Sequence, residues 1–139
     1  MASVTSNPNA AMAVAASALT AQSARMKIIA ENLANADSTA RTAGGDPYQR
    51  QVALFAPTPV DGGQGVKMSK VTKDQTPFKT AYEPGHPGAD PNGYVKMPNV
   101  DPLIEALDMR EAQRAYEANL SVIETARAMT QSTLELLKK

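Results

Sequence analysis

The residues able to carry chemistry are few: one histidine and no cysteine. His86 stands in Tyr82-Glu83-Pro84-Gly85-His86-Pro87-Gly88-Ala89-Asp90, with two carboxylates close by in sequence. A hydrolytic or metal centre would need that imidazole, a positioned carboxylate and a further ligand or nucleophile. With no second histidine and no thiol to complete such a set, His86 reads as a loop histidine, exposed or packed. Gly62-Gly63-Gln64-Gly65 has the glycine content of a phosphate cradle but lacks the Lys-Ser/Thr ending and a following helix, so it reads as a turn. No residue is assigned a catalytic, metal or cofactor role. A small metal-dependent or hydrolytic enzyme centred on His86 stands as the rival class, and His86→Ala separates the two.

The elements that would position any site are dictated by the breakers. All eight glycines and nine of the ten prolines fall between Gly44 and Pro102, leaving Asn9 to Ala43 and Leu103 to Lys139 free of both. Two long terminal helices with a non-helical middle follow from that distribution. Helices of about 42 Å and about 55 Å overshoot a compact domain of this length, whose radius of gyration is about 14 Å.

Asn7 with Pro8 forms a cap-then-proline start, preceded by Ser6, and Asp101 with Pro102 repeats it. Glu105 adds a favourable charge near the second helix's N-terminus. In the first helix Met12, Leu19, Met26 and Leu33 recur every seven residues. Ala15, Ile29 and Ala36 lie three further on, with Gln22 the polar exception, giving a heptad seam. The second helix carries a stripe of Ala112, Ala115, Tyr116, Asn119, Val122, Ile123, Ala126, Met129, Thr130, Thr133, Leu136 and Leu137. Asn119 inside it is expected to set register. The stripes fit either a self-contained helical hairpin or an intermolecular coiled coil.

Eleven alanines between Ala10 and Ala36 favour helix but bury little area each, and the chain has no Trp and only six aromatic residues. Such helices need close packing against partners. Fourteen basic and fourteen acidic residues cancel without a basic run, which removes the term that drives nucleic-acid binding. No run of 18 apolar residues offers a membrane span, and Met1 to Pro8 lacks the pattern of a cleaved signal peptide.

In the middle, Tyr48 to Phe55 and Val66 to Lys73 read as strands of a β-hairpin with turn chemistry from Pro57 to Gly65. Asp74 to Asn99, with five prolines, reads as an irregular extended loop. Asn32-Leu33-Ala34-Asn35-Ala36-Asp37-Ser38-Thr39 competes for backbone hydrogen bonds and is expected to end the helix and present amides for docking, with a plain C-terminal fray as the alternative. The expected fold is mainly α, with two long terminal helices pairing as an antiparallel coiled coil around a small β-hairpin and extended loop. Segments 1–40 and 101–139 serve assembly, and 41–100 forms the middle.

Ile28-Ile29-Ala30-Glu31-Asn32-Leu33-Ala34-Asn35-Ala36-Asp37-Ser38-Thr39 resembles the N-terminal signature of the bacterial flagellar rod, hook and filament-junction proteins. Arg114-Ala115-Tyr116-Glu117-Ala118-Asn119, followed by Ile123, Thr125, Ala126 and Met129, resembles their C-terminal signature. Gly85-His86-Pro87 and Asp90 to Asp101 resemble the segment of the proximal-rod members, whose short middle this chain shares. The resemblance implies a non-enzymatic axial subunit of the basal body without cofactors, assembling helically into a torque-transmitting rod that crosses the periplasm. Implied partners are copies of itself, proximal-rod paralogues, the rod-base adaptor, the distal rod and, during secretion without a cleaved signal, the flagellar type III export apparatus. The signature positions Asn32, Leu33, Asn35, Arg114, Tyr116, Glu117 and Asn119, with the seam residues Met12, Leu19, Met26, Ile29, Ile123, Ala126 and Met129, form the expected assembly interface. A cytosolic coiled-coil adaptor is the third reading, and co-fractionation with basal bodies would exclude it.

Overall fold

The computed structural model describes residues 7–139. Ser6, the first residue of the expected helix start, and the opening of segment 1–40 lie outside the described residues. Helix α1 spans Pro8–Ala34 and helix α2 spans Pro102–Leu137. Strands β1 (Gln51–Val60), β2 (Gly63–Lys73), β3 (Lys79–Tyr82) and β4 (Tyr94–Met97) lie between them in sequence. Among the described residues no helix is long and apolar enough to cross a membrane.

Both helix starts follow the capping logic. Asn7 Oδ1 accepts the Asn9 amide at 3.0 Å, and Asp101 Oδ1 accepts the Leu103 amide at 3.0 Å. Each cap satisfies an N–H that the first turn leaves without a carbonyl, and the proline between has none to satisfy. Helix α1 stops at Ala34, two residues before the seam pattern ends. There Asn35 Nδ2 donates back to the Glu31 carbonyl at 2.9 Å, and Ser38 Oγ donates to Asn35 Oδ1 at 3.0 Å. The Asn35 side chain thus shares the Glu31 carbonyl with its own backbone amide, which also reaches the Asn32 carbonyl at 3.2 Å, so the last turn tightens and the helix ends.

The hairpin differs from expectation in its bounds. Strand β1 runs straight through Pro57 and Pro59, and the turn is only Asp61-Gly62, with Gly62 at φ +80°. Two prolines two residues apart place their missing N–H groups on the same strand edge. A two-stranded ribbon leaves one such edge without a partner, so no ladder bond is lost. The expected irregular loop holds a second sheet, in which β3 pairs antiparallel with β4. Its register puts Lys79 opposite Met97, Thr80 opposite Lys96, Ala81 opposite Val95 and Tyr82 opposite Tyr94. Four-residue strands are too short for alternation to mark them in sequence.

The chain divides into two compact units. Of the described residues, one comprises 7–25, Leu54–Lys70 and Glu111–Lys139. Among the described residues, its buried apolar ones are all alanine: Ala15, Ala21, Ala112 and Ala126. Gly62, Gly63 and Gly65 rest on Ala10, Val14 and Ser17 of α1, where a Cβ at Gly62 would come within 2.8 Å of Ala10 Cβ. Val66 N donates to Ser17 Oγ at 3.1 Å, and Ser17 Oγ donates to Val14 O at 2.6 Å. Glycine against alanine lets the ribbon backbone reach the helix. In the same unit Arg25 Nη2 lies 3.6 Å from Glu111 Oε2.

The other unit comprises Met26–Ala53 and Val71–Arg110. Ile28, Ile29, Val95 and Val100 form its apolar core, and Asn32, Asn99 and Glu105 are buried with them.

Candidate functional site

The buried polar residues of the second unit hold one short stretch of chain, Tyr48 to Gln51. Asn32 Nδ2 donates to the Gln51 carbonyl at 2.8 Å, while Asn32 Oδ1 accepts the Gln51 amide at 2.9 Å and the Tyr48 hydroxyl at 2.7 Å. The asparagine side chain thus acts as a peptide-like partner for the first residue of β1. Asn99 does the same one residue earlier. Its Oδ1 accepts the Arg50 amide at 2.7 Å, and its Nδ2 donates to the carbonyls of Asp74 and Thr76, each at 3.0 Å. Asp74 N returns a bond to Arg50 O at 2.8 Å, and Gln49 Nε2 donates to Asp74 O at 2.7 Å.

The Arg50 guanidinium reaches three carboxylates. Nε donates to Glu105 Oε1, Nη1 to Asp74 Oδ2 at 3.1 Å and Nη2 to Asp108 Oδ2 at 3.3 Å. The Glu105 side chain is fully buried, and its second oxygen takes the Asn32 amide at 3.4 Å. Such a carboxylate is tolerable only with a paired cation and hydrogen bonds on its lone pairs, and a guanidinium fork supplies the geometry. Burial works against the Arg50 charge, yet the hydrogen bonds and charges of Glu105 and then Asp74 outweigh it and raise its pKa. Burial, with the charges of Glu31 and Glu105, pushes the Tyr48 hydroxyl above its ordinary value, which keeps it the donor to Asn32. Asp74 lies below the usual carboxylate value, chiefly because the hydroxyl and amide of Thr76 donate to it and further because of Arg50, against the opposing effect of burial.

This arrangement binds chain segments to one another rather than activating a nucleophile. Each polar side chain in it bonds a neighbour. Among the described residues, no three His, Asp or Glu side chains come together as a metal would require. His86 Nδ1 accepts the Gly88 amide at 2.9 Å, which leaves the proton on Nε2 to donate to Thr39 Oγ1 at 3.0 Å. The Asp90 carboxylate instead accepts the amides of Asn92 and Tyr94, each at 2.9 Å.

The expected interface residues fall into three groups. Ile29, Asn32 and Ala126 are buried. Met12, Leu19, Met26, Leu33, Asn35, Tyr116, Asn119 and Ile123 are half-buried, whereas Arg114, Glu117 and Met129 are exposed. Asn32, expected to offer its amide to a docking surface, turns it inward. Asn119, expected to set register between helices, donates to the Ala115 carbonyl of its own helix at 2.7 Å. Among the described residues Gln22 Oε1 is buried without a hydrogen-bond partner.

Arg50, Asp74, Asn99 and Glu105 escaped sequence reasoning. Only Glu105 carried a signal, its place in the first turn of α2, and that pointed to the helix dipole. In contrast to the alanine interior of the first unit, several larger apolar side chains of that unit lie outside. Leu120, Val122, Met129, Leu134, Leu136 and Leu137 of α2 are all exposed. A groove of about 320 Å³ includes Val122 and Met129 in its lining, together with Pro8, Ala11, Thr125 and Ala126.

The family profile described as "Flagella basal body rod protein" matches residues 12–41, and that described as "Flagellar basal body rod FlgEFG protein C-terminal" matches residues 92–136. The flagellar basal-body rod protein FlgC of Agrobacterium fabrum is 49% identical over 132 residues, covering 94% of this chain and 95% of that protein. FlgC of Salmonella typhimurium is 46% identical over 127 residues, covering 88% and 92%. FlgC of Bacillus subtilis is 39% identical over 142 residues, covering 90% and 95%.

Proposed function

The chain belongs to the flagellar basal-body rod protein FlgC family, and on that basis we propose that it is a structural subunit of the proximal rod. It is a building element rather than an enzyme. Its subunits pack helically with copies of themselves and with rod paralogues, the rod-base adaptor and the distal rod, forming the shaft that transmits torque through the periplasm. It reaches that place unfolded through the flagellar type III export apparatus, without a cleaved signal.

One observation carries the assembly role. Among the described residues the first unit buries only alanines, while Leu120, Val122, Met129, Leu134, Leu136 and Leu137 face outward. Alanine cores bury little area, and exposed large apolar residues mark surfaces that other chains cover. The terminal helices pair as an antiparallel coiled coil. Support comes from Arg25 beside Glu111 and from Pro8 and Ala11 lining one groove with Ala126 and Met129. The seam residues Met12, Leu19, Met26 and Leu33 then act together with Arg114, Tyr116, Glu117, Ile123 and Met129 in holding neighbours. Segments 1–40 and 101–139 form the assembly part, and 41–100 distinguishes this subunit's place in the rod.

Imaging of isolated basal bodies from cells carrying an epitope-tagged chain tests the reading. The tag is expected in the proximal rod, at more than one copy per basal body. A tag that stays in the cytosolic fraction of motile cells overturns it and favours the adaptor reading.

A further inference from the structure

Asn92-Gly93 is the chain's single Asn-Gly step. It lies at the end of the loop that leads into β4, with Asn92 exposed and Gly93 buried at φ +88°. An asparagine followed by glycine is the pairing in which the backbone nitrogen meets least steric resistance on its way to the side-chain amide carbon. Here that nitrogen is engaged. Gly93 N donates to the Asp90 carbonyl at 2.9 Å, and the Asp90 carboxylate takes the amides on either side, from Asn92 and Tyr94, each at 2.9 Å. Asp90 N closes the turn on the Tyr94 carbonyl at 2.9 Å.

We propose that Asn92 is a self-modification site, a succinimide-forming asparagine, which Asp90 holds unreactive while the β3–β4 end of the sheet is formed. When that end opens, Gly93 N loses its proton to solvent base and attacks Asn92 Cγ. A new N–C bond forms, the bond from Cγ to the side-chain nitrogen breaks, and ammonia leaves. Water then opens either carbonyl of the five-membered ring, giving aspartate or isoaspartate. In the isoaspartate the main chain runs through Cγ and gains one backbone atom.

That extra atom falls immediately before β4. Tyr94 is paired with Tyr82 and stacked edge-to-face on it at 5.3 Å, and Val95 beyond it is 1% exposed. Lengthening the chain there draws Tyr94 off its partner and Val95 out of the interior. Glycine is nonetheless required at 93, where a Cβ would lie 2.8 Å from Tyr82 Cε2. The reactive dipeptide is thus imposed by packing, and the turn contains it.

The test follows the full-length protein at mildly alkaline pH, folded and in urea, by peptide mass spectrometry at Asn92 and enzymatic detection of isoaspartate. The folded chain is expected to convert at least about tenfold more slowly, which an opening cost of about 1.4 kcal/mol provides. Asp90→Ala should raise the folded-state rate toward the urea value, and Asp90→Asn, which keeps an acceptor oxygen, should largely preserve protection. Equal rates with and without urea would overturn the proposal. So would an Asp90→Ala variant, folded by circular dichroism, that converts no faster than the wild type.

Discussion

Asn32 and Gln51 are joined twice, the asparagine amide donating to the Gln51 carbonyl at 2.8 Å and its oxygen accepting the Gln51 amide at 2.9 Å. A side chain on the last turn of α1 thus serves as strand partner to the first residue of β1. Asn32→Asp removes the donor and sets a second carboxylate against the Gln51 carbonyl and the buried Glu105. A loss of about 2–4 kcal/mol is expected, since a buried acceptor goes unsatisfied and a buried charge is added. Urea unfolding of the two proteins measures it, and a difference below about 1 kcal/mol would remove the clamp from the account.

Arg50 and Glu105 form a pair whose halves are not equally exposed, with the glutamate fully buried and the arginine about one-fifth exposed. Arg50→Met alone leaves Glu105 buried without its cation and should cost about 3 kcal/mol. Combining it with Glu105→Met should recover most of that loss, because two apolar side chains of similar volume leave no charge uncompensated. A double-mutant cycle reads the coupling directly. Additive effects would mean that the pair does not act as one.

Stability should respond to pH through Asp74. Its folded pKa is depressed, by Thr76 first and then by Arg50. The stabilisation is therefore complete above the unfolded value of about 3.9 and is lost as the pH falls through the lower folded value. Urea midpoints of the wild type and Asp74→Asn should converge as the pH drops below about 4. Thr76→Val, which lacks the donating hydroxyl, should weaken the dependence.

Gly65 sits where any Cβ would collide with Ser17 Oγ and with Val60 Cγ1. Gly65→Ala should destabilise by about 1–3 kcal/mol through overpacking and displacement of the ribbon from α1. Hydrogen exchange at the Val66 amide, which donates to Ser17, should quicken in the variant. An unchanged rate would contradict the seating of the ribbon on the helix.

Two charge insertions in α2 separate folding from assembly. Ala126 is 3% exposed and Met129 is 47% exposed. Ala126→Glu should lower the stability of the isolated subunit and abolish swimming. Met129→Lys should leave the isolated subunit's melting temperature within a few degrees of wild type, as surface substitutions do, yet impair swimming with export intact. Normal motility in the Met129 variant would take that surface out of the assembly.

The terminal helices and their caps at Asn7 and Asp101 were legible because each depends on neighbours within a turn of helix, where spacing and side-chain type decide the outcome. Family membership was legible for a related reason, since the two signatures are contiguous strings. The hairpin's existence could be read, but the path of β1 through Pro57 and Pro59 depended on which ribbon edge lacked a partner. The short pairing of Tyr82 with Tyr94 left no periodic trace. Least legible was the role of Asn32, Arg50, Asp74, Asn99 and Glu105. Sequence alone marked Asn32 as a helix-ending amide and Glu105 as a favourable first-turn charge, both correct as local statements. Tertiary structure decided that the two share one buried network, because a hydrogen bond across 73 residues of sequence depends on where the chain brings its ends, which no local pattern encodes.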